Sequence, residues 1–209
     1  MNASTMNAPS GRAIALIERF EVGDPSSYSP NPCWPGGASG LTIGVGYDLG
    51  YATPVAVASD WQALPDAVCH RLQSYTGRTG VAAASLAAAA YDITVPYSLA
   101  RTVFEQCDIP RTTTLTATAF PNTDQLSPDS LGALVSLVFN RGAAMTDTRP
   151  GNRLEMRQIR DAMRAQDFAS IPGYLRAMKR LWAGTGQSGL PTRRDAEADL
   201  FAAGLLPTT

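Results

Sequence analysis

Among the first fifty residues, three side chains can do acid–base chemistry together: Glu21, Thr42 and Asp48. Glu21 shares a helical face with Ile14 and Ile17, at i, i+3 and i+7 spacing, with Ala13 and Phe20 flanking. A carboxyl beside apolar surface and at the negative end of a helix holds its proton, which suits a general acid. The same position also fits an ordinary solvated helix-end carboxylate. In the segment Leu41–Leu49 the residues alternate, with Thr42, Gly44, Gly46 and Asp48 on one face and Leu41, Ile43, Val45, Tyr47 and Leu49 on the other. In one straight strand Thr42 and Asp48 stand about 20 Å apart, too far to share a water. The two glycines instead predict a hairpin with a three-residue loop, Gly44-Val45-Gly46, which pairs Ile43 with Tyr47 and sets Thr42 opposite Asp48. Their Cβ atoms then lie about 5 Å apart, and a hydroxyl and a carboxylate so placed can hold one water. A turn-stabilising Asp beside an ordinary strand Thr fits the same spacing.

The elements that must position these groups are mostly helical. Residues 1–9 read as a disordered leader, and Ser10 caps the first helix. A loop rich in Pro, Gly and Ser covers Gly23 to Gly40 and leads into the hairpin. Beyond Gly50 the pattern predicts helices over Pro65–Tyr75, Gly80–Tyr91 and Ser98–Cys107, then a Thr-rich connection at 112–118. Ser127-Pro128 is a cap followed by proline at the first helical position. The helix behind it carries Leu131, Leu134, Leu137 and Val138, ends at Gly142, and reads as the central core helix. Met156, Ile159 and Met163 mark another helix, and Ile171, Leu175, Met178 and Trp182 the next. A last helix runs from near Pro191 to Gly204. With no βαβ alternation, the fold class is α+β, mainly α, with a small β-hairpin lobe and a helical lobe around the central apolar helix.

Composition narrows the chemistry. At 209 residues, 44% apolar and 17% charged, the chain fits one globular domain over residues 10–209. A net charge of −1 gives no support to nucleic-acid binding. Residues 1–138 hold 6 basic and 11 acidic side chains, whereas 139–209 hold 11 basic and 7 acidic. The basic part could face an anionic polymer, or be a solvated arginine-rich helical surface. His70 is the only histidine, which excludes His-rich metal sites. Cys33, Cys69 and Cys107 are too few for a disulfide framework, and any pairing leaves one thiol over. Nothing beyond its existence supports a Cys33–His70 nucleophile pair; Cys33-Trp34 fits better as packing for the long loop. Nothing resembles a phosphate-binding glycine loop, and no metal or organic cofactor is expected. The apolar run around Val81–Ala90 is too short to span a bilayer, and Met1–Arg12 has no apolar stretch of a signal peptide. Synthesis in the cytoplasm is therefore expected.

Two strings resemble a known family. Phe20-Glu21 followed by Gly40-Leu41-Thr42-Ile43-Gly44, then Gly46-Tyr47, is similar to the start of phage-type lysozymes, glycoside hydrolase family 24. The longer string Thr42 to Gly50 is more similar to the pesticin-like branch of muramidases. Supporting matches are Phe139-Asn140-Arg141-Gly142 and Gly189-Leu190 with Arg193, Arg194 and Glu197. The resemblance implies a lysozyme-like fold and cleavage of the β-1,4 bond between N-acetylmuramic acid and N-acetylglucosamine in peptidoglycan. It assigns the acid to Glu21 and the threonine to Thr42. The aspartate slot of common phage lysozymes, just after Tyr28, holds Ser29-Pro30; the pesticin-like pattern places it six residues after the threonine, at Asp48, with Asp24 as the fallback. Arg193 matches an arginine that the family sets against the glutamate, and equally suits an i,i+4 pair with Glu197 on a solvated face. Two other readings stay open: a lytic transglycosylase, which needs no water-activating carboxylate, and a non-catalytic peptidoglycan-binding module. The expected partners are glycan strands, with an immunity protein or delivery machinery, and the expected state is a monomer. Action in the periplasm or cell wall then requires delivery as a phage endolysin through a holin, as a secretion-system effector, or as a bacteriocin taken up as a toxin.

Overall fold

The computed structural model describes residues 8–186 and 188–206, so most of the expected leader, 1–7, lies outside the described residues. Among the described residues the chain is mainly helical with a two-stranded antiparallel sheet, and it divides into two compact units. The helical unit comprises residues 1–20 and 109–209; the hairpin unit comprises 21–108. Their charges differ. The helical unit holds 14 basic and 10 acidic side chains, the hairpin unit 3 basic and 8 acidic.

In the helical unit, α1 (Gly11–Val22, whose last two residues belong to the hairpin unit) starts where the Ser10 hydroxyl accepts the Ala13 N–H at 3.1 Å. Its buried residues are Ala13 and Ile17. Ile14 is only half-buried, so the buried stripe is rotated from the expected Ile14/Ile17 line toward Ala13 and Ile17, at i and i+4. The centre of the unit is a helix over Pro128–Arg141, introduced by the Ser127 cap and ended by Gly142 at φ +70°. Every residue from Asp129 to Val138 in it is buried. Close approach of α1 is possible because residue 132 is glycine: a Cβ there would stand 2.1 Å from that of Ala13.

The Thr-rich stretch, expected as a connection, is the helix Ile109–Ala119. β-branched threonines are weak helix formers. Here their hydroxyls are satisfied within the helix: Thr113, Thr114, Thr116 and Thr118 each donate to the carbonyl four residues back, at 2.8–3.1 Å. Ile109, Thr112, Thr113 and Thr116 form its buried side, packed on the Pro128–Arg141 helix. The remaining helices of this unit, Leu154–Ala165, Ile171–Ala177 (continued as a 3-10 turn to Trp182) and Gly189–Ala203, follow the predicted stripes.

In the hairpin unit, the strands β1 (Thr42–Ile43) and β2 (Tyr47–Asp48) pair in the register Thr42↔Asp48 and Ile43↔Tyr47. Burial alternates without exception from Leu41 to Leu49, apolar side chains inward. A helix the pattern did not single out, Pro54–Asp60, is capped by the Thr53 hydroxyl and brings Trp61 under the hairpin. The indole is fully buried, meets Tyr47 edge-on at 5.4 Å, and would lie 2.8 Å from a Cβ at Gly44. Asp66–Ser74 forms as expected. The single helix expected over Gly80–Tyr91 is instead two short turns, Val81–Ala84 and Ala87–Ala90. Only Ala83 and Ala90 are buried there, and the Ser85 hydroxyl donates to the Ala82 carbonyl at the break. The helix Tyr97–Val103 passes into a π-helical turn, Phe104–Asp108.

Candidate active site

The hairpin positions two of the three candidate groups. In an antiparallel ladder, opposed residues alternate between hydrogen-bonded pairs and non-hydrogen-bonded pairs, whose side chains are closer. The Leu49 N–H donates to the Leu41 carbonyl at 2.9 Å, so the next pair inward, Thr42·Asp48, is of the close kind, with Cα atoms roughly 4.5 Å apart. Thr42 turns its own backbone groups outward, exchanging bonds of 2.7 and 3.0 Å with Cys33. That bridge fixes the Pro- and Gly-rich loop against β1 and holds Thr42 from both sides.

Asp48 is anchored through one oxygen only. Oδ1 accepts the Gly40 N–H at 2.9 Å and the Gly50 N–H at 2.8 Å. Continued two pairs outward, the hairpin register sets Gly40 opposite Gly50, and both must lack a side chain. A Cβ on Gly40 would come within 2.2 Å of the Gly50 nitrogen and 2.5 Å of Asp48 Oδ1. Among the described residues nothing bonds to Asp48 Oδ2 or to the Thr42 hydroxyl, and both atoms reach solvent. Burial raises the Asp48 carboxyl above the ordinary aspartate value, and the two glycine N–H bonds oppose that rise without cancelling it. The result is a half-buried acid with one oxygen clamped and one open, opposite an open hydroxyl.

Glu21 lies in the last turn of α1, half-buried, and belongs to the same compact unit as the hairpin. Gly23, at φ +77°, follows the helix end. The fallback, Asp24, is an exposed cap: Oδ1 accepts the Ser26 N–H at 2.8 Å and the Ser26 hydroxyl, whose bond is the largest cause of a lowered carboxyl pKa. Asp24 therefore serves the 3-10 turn Pro25–Ser27.

Arg193 does pair with Glu197, at 3.2 Å, but the expected solvated face is buried; both side chains are almost wholly enclosed. Glu197 Oε1 also takes the Ser136 hydroxyl at 2.6 Å and Arg194 at 2.9 Å, and the Arg193 guanidinium lies 5.6 Å from the Phe20 ring. Burial pushes the Glu197 carboxyl up, against the pull of Arg194 and Arg193.

Sequence reasoning missed the surroundings of Thr42. A cleft of about 570 Å³ is lined by Asn31, Cys33, Trp34, Ala87, Ala88 and Tyr91, among others; of these, Cys33 is bridged to Thr42. The Trp34 indole is fixed by its bond to the Ser39 carbonyl at 3.0 Å, and Asn31 ties the loop to the Tyr91 and Ile93 carbonyls. The three prolines around Trp34 at 30–35 were the available signal. The cysteines form no disulfide. Among the described residues no group of His, Cys, Asp and Glu gathers that could hold a metal, and no helix is long and apolar enough to cross a membrane. No protein-family model matches the chain, and no curated protein matches it.

Proposed function

We propose that this chain is a peptidoglycan muramidase with a lysozyme-like fold, cutting the β-1,4 bond between N-acetylmuramic acid and N-acetylglucosamine. The observation that carries the reading is the close Thr42·Asp48 pair, with a carboxylate oxygen and a hydroxyl both open to solvent. Such a pair can hold a water and take its proton. Glu21 supplies the second carboxyl that glycoside hydrolysis requires. The apolar walls of the neighbouring cleft, with Trp34 and Tyr91, suit the flat face of a sugar ring.

In this scheme Glu21 protonates the glycosidic oxygen as the bond to the anomeric carbon breaks. Water held by Thr42 and Asp48 attacks that carbon from the opposite face, and Asp48 accepts its proton. A separation of about 6.5–9.5 Å between the two carboxyls gives inversion. The protein would reach the wall by delivery, as an endolysin, effector or bacteriocin.

The test is digestion of purified sacculi by wild type, Glu21→Gln and Asp48→Asn, followed by mass spectrometry of the products. Reducing muramic acid ends are expected, with each variant slower by about 10²–10⁴-fold. Anhydro-muramic ends, with Asp48→Asn active, would move the reaction to transglycosylation. Sacculi left intact by wild type would refute the enzyme.

A further inference from the structure

The muramidase reading leaves unused a group of arginines in the helical unit. Arg141 and Arg194 both approach the Trp182 ring, with guanidinium carbons 5.4 and 6.0 Å from its centre. Arg153 directly follows Asn152, whose carbonyl takes the Arg141 bond, and the two like charges oppose each other. These guanidiniums are short of partners. Arg141 Nη2 donates to the Asn152 carbonyl at 2.5 Å, while its Nε is buried with no acceptor. Arg194 Nη2 reaches Asn140 and Glu197, while its Nε and Nη1 are buried without acceptors although the side chain is wholly enclosed. The Arg153 side chain makes no hydrogen bond among the described residues, and its Nε and Nη1 are buried.

Nearby carboxylates are already taken. Glu197 Oε1 is shared by Arg193 and Arg194, Glu155 is held by Arg180, and Asp147 by Arg157. Burial and the neighbouring Arg153 and Arg194 charges pull Arg141 down to about 10, so it remains charged at neutral pH. Buried guanidinium nitrogens without acceptors are costly away from water. Guanidinium forks match the oxygens of carboxylates and phosphates, and Arg141 and Arg153 are only half-buried, so a ligand can approach them from solvent.

We propose that the helical unit carries an oxyanion-binding site, for a carboxylate or phosphate group, formed by Arg141, which lies against Trp182, and Arg153, with the enclosed Arg194 adding positive charge behind them. Anion binding here stands independently of the muramidase reading, in which none of these residues has a role; only the wall peptide as a source rests on that reading. Two sources offer the chemistry: the stem-peptide carboxylates of the wall, and free phosphate.

The experiment is thermal unfolding of the full chain in inorganic phosphate against sodium chloride of equal ionic strength. Wild type is expected to melt at least about 3 °C higher once phosphate exceeds its Kd tenfold. Arg153→Gln should lose that rise, yet melt no lower than wild type in chloride, because it removes buried nitrogens that have no acceptor. Arg153→Lys keeps the charge without the fork and should show a reduced rise. A soluble disaccharide-tetrapeptide muropeptide identifies the source: competition with phosphate in calorimetric titration assigns the site to wall carboxylates, and phosphate binding without competition assigns it to a small free anion. The proposal is overturned if neither probe binds wild type, or if Arg153→Gln responds to phosphate as wild type does.

Discussion

Asp48 sits between two opposed influences, and the balance sets a pH dependence. Burial raises its pKa and the Gly40 and Gly50 N–H groups lower it, with a net rise. A base must be ionised to accept a proton from water, so activity is expected to fall, on acidification, at a pH above the usual aspartate range. Stability runs the other way: a raised folded pKa contributes stability below the unfolded value, and this is lost as pH rises through the folded one. A pH profile of kcat/KM on soluble glycan checks this; an acid limb at or below the exposed-aspartate range would remove Asp48 from the base role. Much at this scale was legible in the sequence. The alternation at 41–49, with glycines at 44 and 46, places Thr42 against Asp48, because the glycines mark a three-residue loop and the register it sets keeps all five apolar side chains on one face. The partners of Asp48 could also have been read by carrying that register outward to Gly40 and Gly50. The orphaned nitrogens of Arg153 and Arg194 could not, since they depend on which carboxylates other helices claim first.

At the scale of elements the hairpin depends on what is missing from it. Gly40→Ala would force a Cβ into the space now shared by the Gly50 backbone and Asp48 Oδ1. A cost of about 1–3 kcal/mol is expected, measurable in urea unfolding, together with loss of glycan cleavage as the carboxylate is displaced. Cleavage at the wild-type rate by a folded Gly40→Ala would detach the anchor from catalysis. Elements whose apolar stripe decides their fate, such as Pro128–Arg141 and Leu154–Ala165, form where the pattern places them. Those decided by short-range competition do not. The threonines of Ile109–Ala119 satisfy their hydroxyls inside a helix that propensity alone disfavours. The alanines at 81–90 have high propensity but too little apolar surface to hold one continuous helix.

For the whole molecule the separation of charge matters more than its sum. A chain of net charge −1 divides into one unit with an excess of basic groups and one with an excess of acidic groups. Peptidoglycan is anionic, so adsorption should draw on the first. Retention of Glu21→Gln on sacculi is expected to fall several-fold as salt rises from roughly 0.05 to 0.5 M, over which the screening length shrinks by about threefold. Salt-independent retention would assign wall binding to apolar and hydrogen-bonded contacts instead. The bridge between Cys33 and Thr42 has a practical consequence as well. Cys33 is the exposed thiol of the three, and its backbone is pinned directly to the strand that carries the Thr42 hydroxyl. Partial desolvation raises its pKa, so alkylation is slow at neutrality and quickens in alkali. The natural chain thus already contains an attachment point for a fluorophore or spin label, one strand away from where glycan is expected to lie.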